Sequence, residues 1–338
     1  MKSFASDNYS GVCPDVMEAI IAANYEHESS YGLDVYTEKA RTLLRQTFGE
    51  ESTSYFVYNG TAANVLGLKA ITRSHHAILC ADGAHIASQE VGAPVNAIGC
   101  SLITVPAQKG KVTPEQLEIA HNKVVYWGVH SNLPRVVSIA QTTEYGTVYS
   151  IEELKAISHF CKQHNLLFHM DGCRLANAAV SLGVALKDIT QKVGVDVLSF
   201  GGAKNGLLFG EVIVFFDSKL ANEFDYIQKQ SLHLHSKMRF LSAQFIPYLE
   251  DNIWHRNAKH ANNMCQLLAA GLSRVGIEFA YPVESNQIFA FFSDKLIATT
   301  QEVFPYYVWN KETNLVRLIT SFDTTENDVN QFINLILK

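Results

Sequence analysis

A lysine lies among glycines in the segment FGGAKNG, residues 200 to 206, at the end of the apolar run VDVLSF. A lysine amine is nucleophilic only when unprotonated, so a site that uses it must lower its pKa by burial or by nearby cations. The small neighbours Gly201, Gly202 and Ala203 would let a bulky planar group approach the amine. Lys204 could equally be a solvated loop residue, and this segment alone does not decide between the two interpretations.

An aspartate ends a second apolar run, in the segment HMDGCR, residues 169 to 174. A carboxylate at the end of a buried strand is unfavourable unless a cation or a hydrogen-bond donor meets it. Asp171 could therefore pair with a protonated ring nitrogen. It could also cap the helix expected to begin near Leu175.

Two further segments follow expected strands. In YNGTAAN, residues 58 to 64, Gly60 and Thr61 open an expected helix, whose free N–H groups with the Thr61 hydroxyl would bind a phosphate. A simple helix cap explains the same residues. In ADGAHIASQE, His85 could stack on an aromatic cofactor or be a structural histidine.

The phosphate site, the carboxylate and the lysine occur on successive expected strands, whose carboxyl ends share one edge of a parallel sheet. A phosphate-binding helix start, a partner for a ring nitrogen and a Schiff-base lysine together predict pyridoxal 5′-phosphate as the cofactor.

The elements that must position these residues alternate between strands and helices up to about residue 217. This alternation is typical of an α/β fold with a mainly parallel sheet covered on both faces. Residues 218 to 275 have a mostly helical pattern, and the remaining chain alternates strands with helices. We expect an N-terminal arm and large domain over 1–245 and a small α+β domain over 246–338.

Composition narrows the class of protein. The 338 residues carry a net charge of −6, which gives no reason to expect nucleic acid or an anionic membrane as a partner. The six cysteines are scattered without a CxxC pair, so neither a disulfide framework nor a metal site is expected. No apolar leader or membrane-length run occurs, which favours the cytoplasm. No GxGxxG follows a strand, which argues against a Rossmann dehydrogenase.

The sequence resembles the low-specificity L-threonine aldolases, members of the β-eliminating-lyase group of pyridoxal-phosphate enzymes. The resemblance covers nearly the whole chain and implies the aspartate-aminotransferase-like fold, with a mainly parallel seven-stranded sheet in the large domain. Its most specific segments are SDN (6–8), SYG (30–32), NGTAAN (59–64), AH (84–85), HMDGCRLANAA (169–179), DVLSFGGAKNG (196–206) and VRLITSFDTT (316–325).

The resemblance implies roles on the cofactor. Lys204 matches the lysine that forms the Schiff base, and Asp171 matches the carboxylate that keeps the pyridine nitrogen protonated. His85 matches a histidine stacked over the ring. Gly60 and Thr61 match the phosphate-binding helix start.

Further roles concern the substrate. Arg317 and Ser6 match a clamp on the substrate carboxylate, and Arg174 matches an arginine close to cofactor and substrate. Glu90 matches an acid near the site. Tyr31 matches a tyrosine that a neighbouring subunit contributes, which implies a homodimer or homotetramer with shared active sites. Arginine suits a carboxylate clamp because it donates two parallel hydrogen bonds.

The chain departs from the family pattern at three positions. Cys173 stands where alanine is frequent, and Ala203 stands where threonine often precedes the lysine. Glu144 lies where some members carry a histidine that faces the substrate side chain. It could contact the β-hydroxyl or only cap a turn.

The resemblance implies retro-aldol cleavage of L-threonine, L-allo-threonine and related β-hydroxy-α-amino acids, including phenylserine, to glycine and an aldehyde. A base must take the β-hydroxyl proton, and His85, or a water held by His85 or Glu90, is the candidate. A β-eliminating lyase or a racemase acting on another amino acid is the alternative within this cofactor class. A non-enzymatic binding protein would have no use for Lys204. Lys237 and Arg239 could reach a neighbour's phosphate or be surface charges.

Overall fold

A seven-stranded sheet forms the centre of the molecule in this computed structural model, which describes residues 2 to 337. Its strands are the apolar, β-branched runs that the sequence predicted, and most of their side chains are buried, although those of the edge strand Ser101–Val105 are mostly half-buried. They span Thr53–Val57 (β1), His76–Ala81 (β2), Ser101–Val105 (β3), Leu133–Ala140 (β4), Leu167–Gly172 (β5), Val197–Gly201 (β6) and Glu211–Phe215 (β7).

The strand order is β1-β7-β6-β5-β4-β2-β3. Strands β3, β2, β4, β5 and β6 pair in parallel, and β7 pairs antiparallel with both β6 and β1. Six strands therefore end at the same edge, where parallel α/β sheets bind their ligands. The predicted mainly parallel, seven-stranded sheet is confirmed.

Helices cover this sheet and continue into the C-terminal part. Several begin with a side-chain cap of the kind expected from Ser, Thr, Asp or Asn, such as Asp34, Asn59 and Ser150. They span Pro14–Ala22 (α1), Val35–Phe48 (α2), Gly60–Ile71 (α3), His85–Ser88 (α4), Ala93–Ile98 (α5), Pro114–Val125 (α6), Ile151–Gln163 (α7), Leu175–Leu182 (α8), Phe224–Gln230 (α9), Arg239–Ser242 (α10), Phe245–Glu250 (α11), Ile253–Arg274 (α12), Asp294–Gln301 (α13) and Glu326–Ile336 (α14). In the described part of the chain, no helix has the length and apolar character needed to cross a membrane.

A second, antiparallel sheet lies in the C-terminal part, in the order β8-β10-β9, with strands Gln287–Phe291 (β8), Tyr307–Asn310 (β9) and Leu315–Ile319 (β10). Its apolar face packs with α12 and α14 in a small core of its own. Phe4, at the N-terminus, belongs to this small core, because its N–H and carbonyl bond to Pro305 and Ile319. The N-terminal arm is thus attached to the C-terminal part.

The predicted division after residue 245 stays a prediction, but the two cores show which side chains it would separate. Phe245, Tyr248 and Ile253 belong to the large core, and Cys265 onwards belongs to the small one. The stretch from 218 to 275 is mostly helical, as predicted, but up to residue 250 its helices are short and separated by turns. The strand β9 was not expected from the sequence.

Candidate active site

Most of the site residues predicted in the large domain meet in one cavity of about 380 Å³, at the edge of the large sheet where the parallel strands end. Each follows the end of its strand, because parallel strands place their outgoing loops side by side. The sequence-predicted residues that line the cavity are Gly60, Thr61, His85, Glu144, Asp171, Cys173, Arg174, Ala203 and Lys204.

Lys204 lies in a single 3-10 turn directly after β6. Asn205 anchors the turn, because its Nδ2 donates to the Tyr248 hydroxyl and to the Trp254 carbonyl, both at 2.9 Å. Gly201 allows close packing, since a Cβ there would lie 2.5 Å from the backbone of Cys173. The lysine is therefore presented by a rigid, tightly packed turn.

Asp171 lies at the end of β5 and is 8% exposed. Its Oδ2 accepts a hydrogen bond from Asn64 Nδ2 at 2.8 Å, and its Oδ1 accepts one from the Cys173 N–H at 3.0 Å. Burial alone would raise the pKa of Asp171, but the Lys204 charge and these hydrogen bonds lower it below its usual value. Asp171 is a buried, ionised carboxylate facing a lysine.

Glu211, at the start of β7, is a second buried carboxyl group that lines the cavity. It was not predicted from the sequence. Its Oε2 accepts from the Gly202 N–H at 2.8 Å. Burial raises the pKa of Glu211 to about 8, although the Lys204 charge and backbone hydrogen bonds oppose this. Glu211 is therefore mainly protonated at neutral pH, unlike Asp171.

The N-terminus of α3 opens into the same cavity at Gly60 and Thr61. Asn59 caps the helix by accepting from the Ala62 N–H at 2.9 Å. Within residues 2 to 337, the N–H groups of Gly60 and Thr61 have no hydrogen-bond acceptor. A Cβ at Gly60 would lie 2.8 Å from the Cys173 sulfur. The helix start thus offers free donors, as an anion site requires.

His85 begins α4 and lies between two carboxyl groups. Its Nδ1 is 2.7 Å from Oε1 of the buried Glu90, and its backbone N–H donates to Glu144 Oε1 at 2.7 Å. Burial raises the pKa of Glu144 to about 7. Glu144 also lines the cavity, so it combines a raised pKa with a hydrogen bond that fixes the backbone of His85.

Arg174 forms a buried ion pair with Asp7. Its Nε and Nη2 donate to Asp7 Oδ2 and Oδ1 at 2.7 and 2.8 Å, a two-point contact. Asn286 also donates to Oδ2 at 3.1 Å. Burial would raise the pKa of Asp7, but Arg174 holds it below its usual value. This ion pair joins the N-terminal arm to the loop after β5.

Arg317, on β10, lines an adjoining cavity of about 430 Å³ that shares His85, Arg174 and Lys204 with the first. Its guanidinium carbon is 5.1 and 4.9 Å from the ring centres of Tyr307 and Trp309. Its only hydrogen bond among residues 2 to 337 runs from Nη2 to the Ala5 carbonyl at 3.2 Å, and its buried Nε has no partner there. Burial and the Arg174 charge lower the pKa of Arg317 to about 10.

Two of the predicted residues are placed differently from the others. Ser6 lines the adjoining cavity, but its hydroxyl accepts from the Asn8 N–H at 3.2 Å as a helix cap. Tyr31 lies outside both cavities of its own chain, at a positive φ of 59°, with the Lys229 ammonium 4.8 Å from its ring centre. Arg239 donates to the Glu26 carbonyl, on the same outer surface.

Five further residues of the site were not predicted from the sequence. Asp7 and Asn64 lie inside the motifs SDN and NGTAAN, whose neighbouring residues were selected instead. Glu211 is an acid at the start of a buried strand, a signal of the same kind as Asp171. Tyr307 and Trp309 lie on the unexpected strand β9, so no sequence signal pointed to them.

A separate group of metal-ligating side chains, Glu118, His121 and His164, lies between α6 and the end of α7. One donor atom from each lies within 4.8 Å of the others, although the sequence led us to expect no metal site. His164 Nε2 and Glu118 Oε2 already share a 2.8 Å contact. The group is outside both cavities.

The fold is the one shared by aminotransferase-like pyridoxal-phosphate enzymes. A Thermus thermophilus aspartate aminotransferase mutant has the same fold, with a TM-score of 0.71 over 99% of this chain and 90% of its own, at 13% identity. The family model for β-eliminating lyases matches residues 3–295. The chain belongs to the β-eliminating lyase family and is a pyridoxal-phosphate-dependent lyase.

Several relatives narrow the resemblance. A Pseudomonas low specificity L-threonine aldolase is 42% identical over 334 residues, covering 98% of this chain and 95% of its own. A Pseudomonas aeruginosa protein of the same name is 42% identical, and the match covers 96% of this chain and 93% of that protein. The solved structure of Leishmania major threonine aldolase is 30% identical and has a TM-score of 0.95, and the match covers 100% of this chain and 99% of that one. The predicted family is thus confirmed.

Proposed function

We propose that this enzyme cleaves L-threonine, L-allo-threonine and related β-hydroxy-α-amino acids, including phenylserine, to glycine and an aldehyde. The observation that carries the proposal is the meeting of Lys204, ionised Asp171 and the unpaired Arg317 around two joined cavities. An amine, a buried anion and a free guanidinium can hold a cofactor and an amino acid side by side. The names of the threonine aldolases described above support the same reaction.

The residues present fit pyridoxal phosphate. Lys204 offers the amine for its aldehyde, Asp171 offers an ionised partner for its ring nitrogen, and Gly60 and Thr61 offer unused N–H donors for its phosphate. When bound, the cofactor supplies an electron sink for the carbon–carbon bond that breaks. Asp171 supports that role because its carboxylate stays ionised and is already oriented by two hydrogen bonds.

Arg317 orients the substrate in this proposal. A carboxylate entering the second cavity would give its guanidinium a counterion that none of residues 2 to 337 provides. The rings of Tyr307 and Trp309 lie against the guanidinium and stabilise its charge through cation–π contacts. A fixed carboxylate holds the reacting bond in one orientation, which selects carbon–carbon cleavage over other reactions of the same substrate.

His85 is the proposed base for the β-hydroxyl proton. Its Nδ1 faces Glu90, which leaves Nε2 without a hydrogen bond among residues 2 to 337 and able to accept a proton. Glu144 is the second candidate, because it lines the same cavity with a pKa of about 7. Cleavage rates of His85→Gln and Glu144→Gln compare the two, since removing the base lowers kcat far more than removing its neighbour.

A second copy of the chain would complete the site. The segment around Tyr31 exposes apolar side chains, with Tyr25 73%, Leu33 81% and Val35 64% exposed. Such a surface is typical of an interface. We propose a homodimer or homotetramer in which Tyr31 reaches the neighbour's cavity. Mixing Lys204→Ala and Tyr31→Ala subunits should restore activity, since one site of the hybrid would contain both native residues; no restoration would contradict sharing.

A cytoplasmic location also stays a prediction. All six cysteines are unpaired, as is usual in a reducing compartment.

Product analysis tests the reaction. Purified enzyme with pyridoxal phosphate is incubated with L-threonine, L-allo-threonine, phenylserine and serine, and amino acids and aldehydes are quantified. Equal amounts of glycine and aldehyde from the first three substrates would support the proposal. Release of ammonia and a keto acid would indicate β-elimination, and inversion of the α-carbon without cleavage would indicate a racemase.

A further inference from the structure

Asn64 joins two acidic side chains, Asp171, which lines the first cavity, and Glu90, which contacts His85. It lies in the first turns of α3 and is fully buried. Its Nδ2 donates to Glu90 Oε1 at 2.9 Å and to Asp171 Oδ2 at 2.8 Å. An amide nitrogen carries two hydrogens, and here each one serves a different carboxylate. The reverse orientation of the amide would place its oxygen against two acceptors, so the contacts fix the orientation.

The same amide leaves two buried oxygens without partners. Neither Asn64 Oδ1 nor Glu90 Oε2 has a hydrogen-bond partner within the described residues 2 to 337. Unpaired buried oxygens lower the stability of the fold, and an apolar side chain at position 64 would avoid the unpaired Oδ1. The asparagine therefore contributes something other than packing, namely the hydrogen bonds that position the two carboxylates.

The effect of Asn64 reaches His85 through Glu90. Glu90 Oε1 accepts from Asn64 and is also 2.7 Å from His85 Nδ1. Because that oxygen acts as an acceptor, the hydrogen of the neutral imidazole belongs on Nδ1, and Nε2 is left as the basic nitrogen. A continuous chain of hydrogen bonds therefore runs from His85 through Glu90 and Asn64 to Asp171.

We infer that Asn64 is a positioning residue, whose amide holds Asp171 towards the cofactor's ring nitrogen and Glu90 towards His85 at the same time. This inference rests on the proposed function, which gives Asp171 and His85 their roles. Asn64 lines the first cavity, but both of its side-chain hydrogen bonds go to the two carboxylates, through which it acts. Its loss should disturb cofactor binding and the protonation of the site together.

The most informative substitution is Asn64→Asp, which keeps the size of the side chain but replaces the donor by a third carboxyl group. Asn64→Ala removes the donor without adding charge, and serves if the aspartate variant does not fold. Asn177→Ala is a matched control, because Asn177 is also a buried helical asparagine, bonded to Asn262 at 2.9 Å and outside both cavities.

Two measurements avoid dependence on catalysis. The first is the Kd for pyridoxal phosphate, obtained by fluorescence titration of the apoprotein, and the second is the pH dependence of the bound cofactor's visible absorption. We expect Asn64→Asp to raise the Kd about tenfold or more, the size of one charge-assisted hydrogen bond, and to move the pH dependence. Asn64→Ala should change both in the same direction, and Asn177→Ala should change neither.

Wild-type Kd and wild-type pH dependence in both Asn64 variants would overturn the inference, because a structural role would change only thermal stability. Failure of the proposed function is recognised separately. Wild-type protein that binds pyridoxal phosphate but leaves L-threonine intact would contradict the reaction, while the two binding measurements would still decide the role of Asn64.

Discussion

The two sides of the joined cavities treat buried charge in opposite ways. On the cofactor side, Asp171 is ionised and receives two hydrogen bonds, and Glu211 is kept neutral. On the substrate side, Arg174 is neutralised by Asp7 through two contacts. Arg317, beside it, meets a single backbone carbonyl and two aromatic rings.

This difference indicates which buried group of the enzyme would be stabilised by the negative charge of a ligand. A buried guanidinium without a counterion is unfavourable, and the lowered pKa of Arg317, about 10, reflects this. A substrate carboxylate would remove the penalty, whereas Arg174 already has its partner. We therefore propose different functions for the two arginines. Arg317, which the resemblance matches to a clamp on the substrate carboxylate, would bind that carboxylate, whereas Arg174, which the resemblance places close to cofactor and substrate, would belong to the framework.

The largest expected effect is on the cofactor side. Asp171→Asn keeps the shape and the contact with Asn64 but removes the negative charge that would hold a proton on the ring nitrogen. We expect kcat for threonine cleavage to fall about 10³-fold, equal to about 4 kcal/mol of transition-state stabilisation. Steady-state kinetics at saturating cofactor measure it, and a kcat within tenfold of wild type would contradict the assigned role.

The next effect concerns stability on the substrate side. Asp7→Asn leaves Arg174 buried without its counterion, and loss of one partner of a buried pair costs about 3 to 5 kcal/mol. Denaturant unfolding of the apoprotein measures the change. Asp15→Asn is the control, since the Arg256–Asp15 pair is exposed and should contribute far less. Equal losses in the two variants would show that the Arg174–Asp7 pair is not a special feature of the framework.

A direct comparison of the two arginines follows. Arg317→Lys cannot contact a carboxylate at two points, so KM for threonine should rise about 30- to 100-fold, with a small change in unfolding free energy. Arg174→Lys should do the reverse, lowering stability more than substrate affinity. Kinetics and denaturant unfolding of both variants separate the roles. The distinction between the arginines would be lost if Arg174→Lys raised KM as much as Arg317→Lys.

The effect that is smallest per pH unit is a pH dependence of stability from Glu211. Its carboxyl has a pKa of about 8 in the fold and about 4.5 when unfolded, so the folded state binds the extra proton between these values. Stability of the apoprotein should therefore fall as pH rises through this window, by up to about 1.4 kcal/mol per pH unit. Glu211→Gln should flatten the dependence without a large loss of activity. An unchanged slope in unfolding experiments between pH 5 and pH 8 would show that Glu211 is ionised in the fold.

Much of the fold could be predicted from the sequence. The strands of the large sheet are short runs of β-branched and apolar residues separated by amphipathic helices, and this alternation permits few topologies. The positions of Lys204 and Asp171 followed because each ends such a strand. Residues 218 to 252 were harder, since apolar positions at helical spacing do not show where Leu232 and Asn252, at positive φ, separate one helix from the next.

The partners of the site residues could not be predicted. Asp7 meets Arg174 across 167 positions of sequence, and Asn64 meets Asp171 across 107. Such pairs depend on the packing of the N-terminal arm and of α3 against the sheet edge. The strand β9, with the exposed Tyr307 and the partly buried Trp309, lacks the buried alternating pattern that identifies a strand.

The most direct test of the account locates the bond between cofactor and protein. Holoenzyme and Lys204→Ala are loaded with pyridoxal phosphate, reduced with borohydride and digested, and the modified peptide is identified by mass spectrometry. The account predicts the cofactor's mass on the peptide containing Lys204 and no modified peptide in the variant. Modification of a different lysine in the wild-type protein, or equal modification in both proteins, would contradict it.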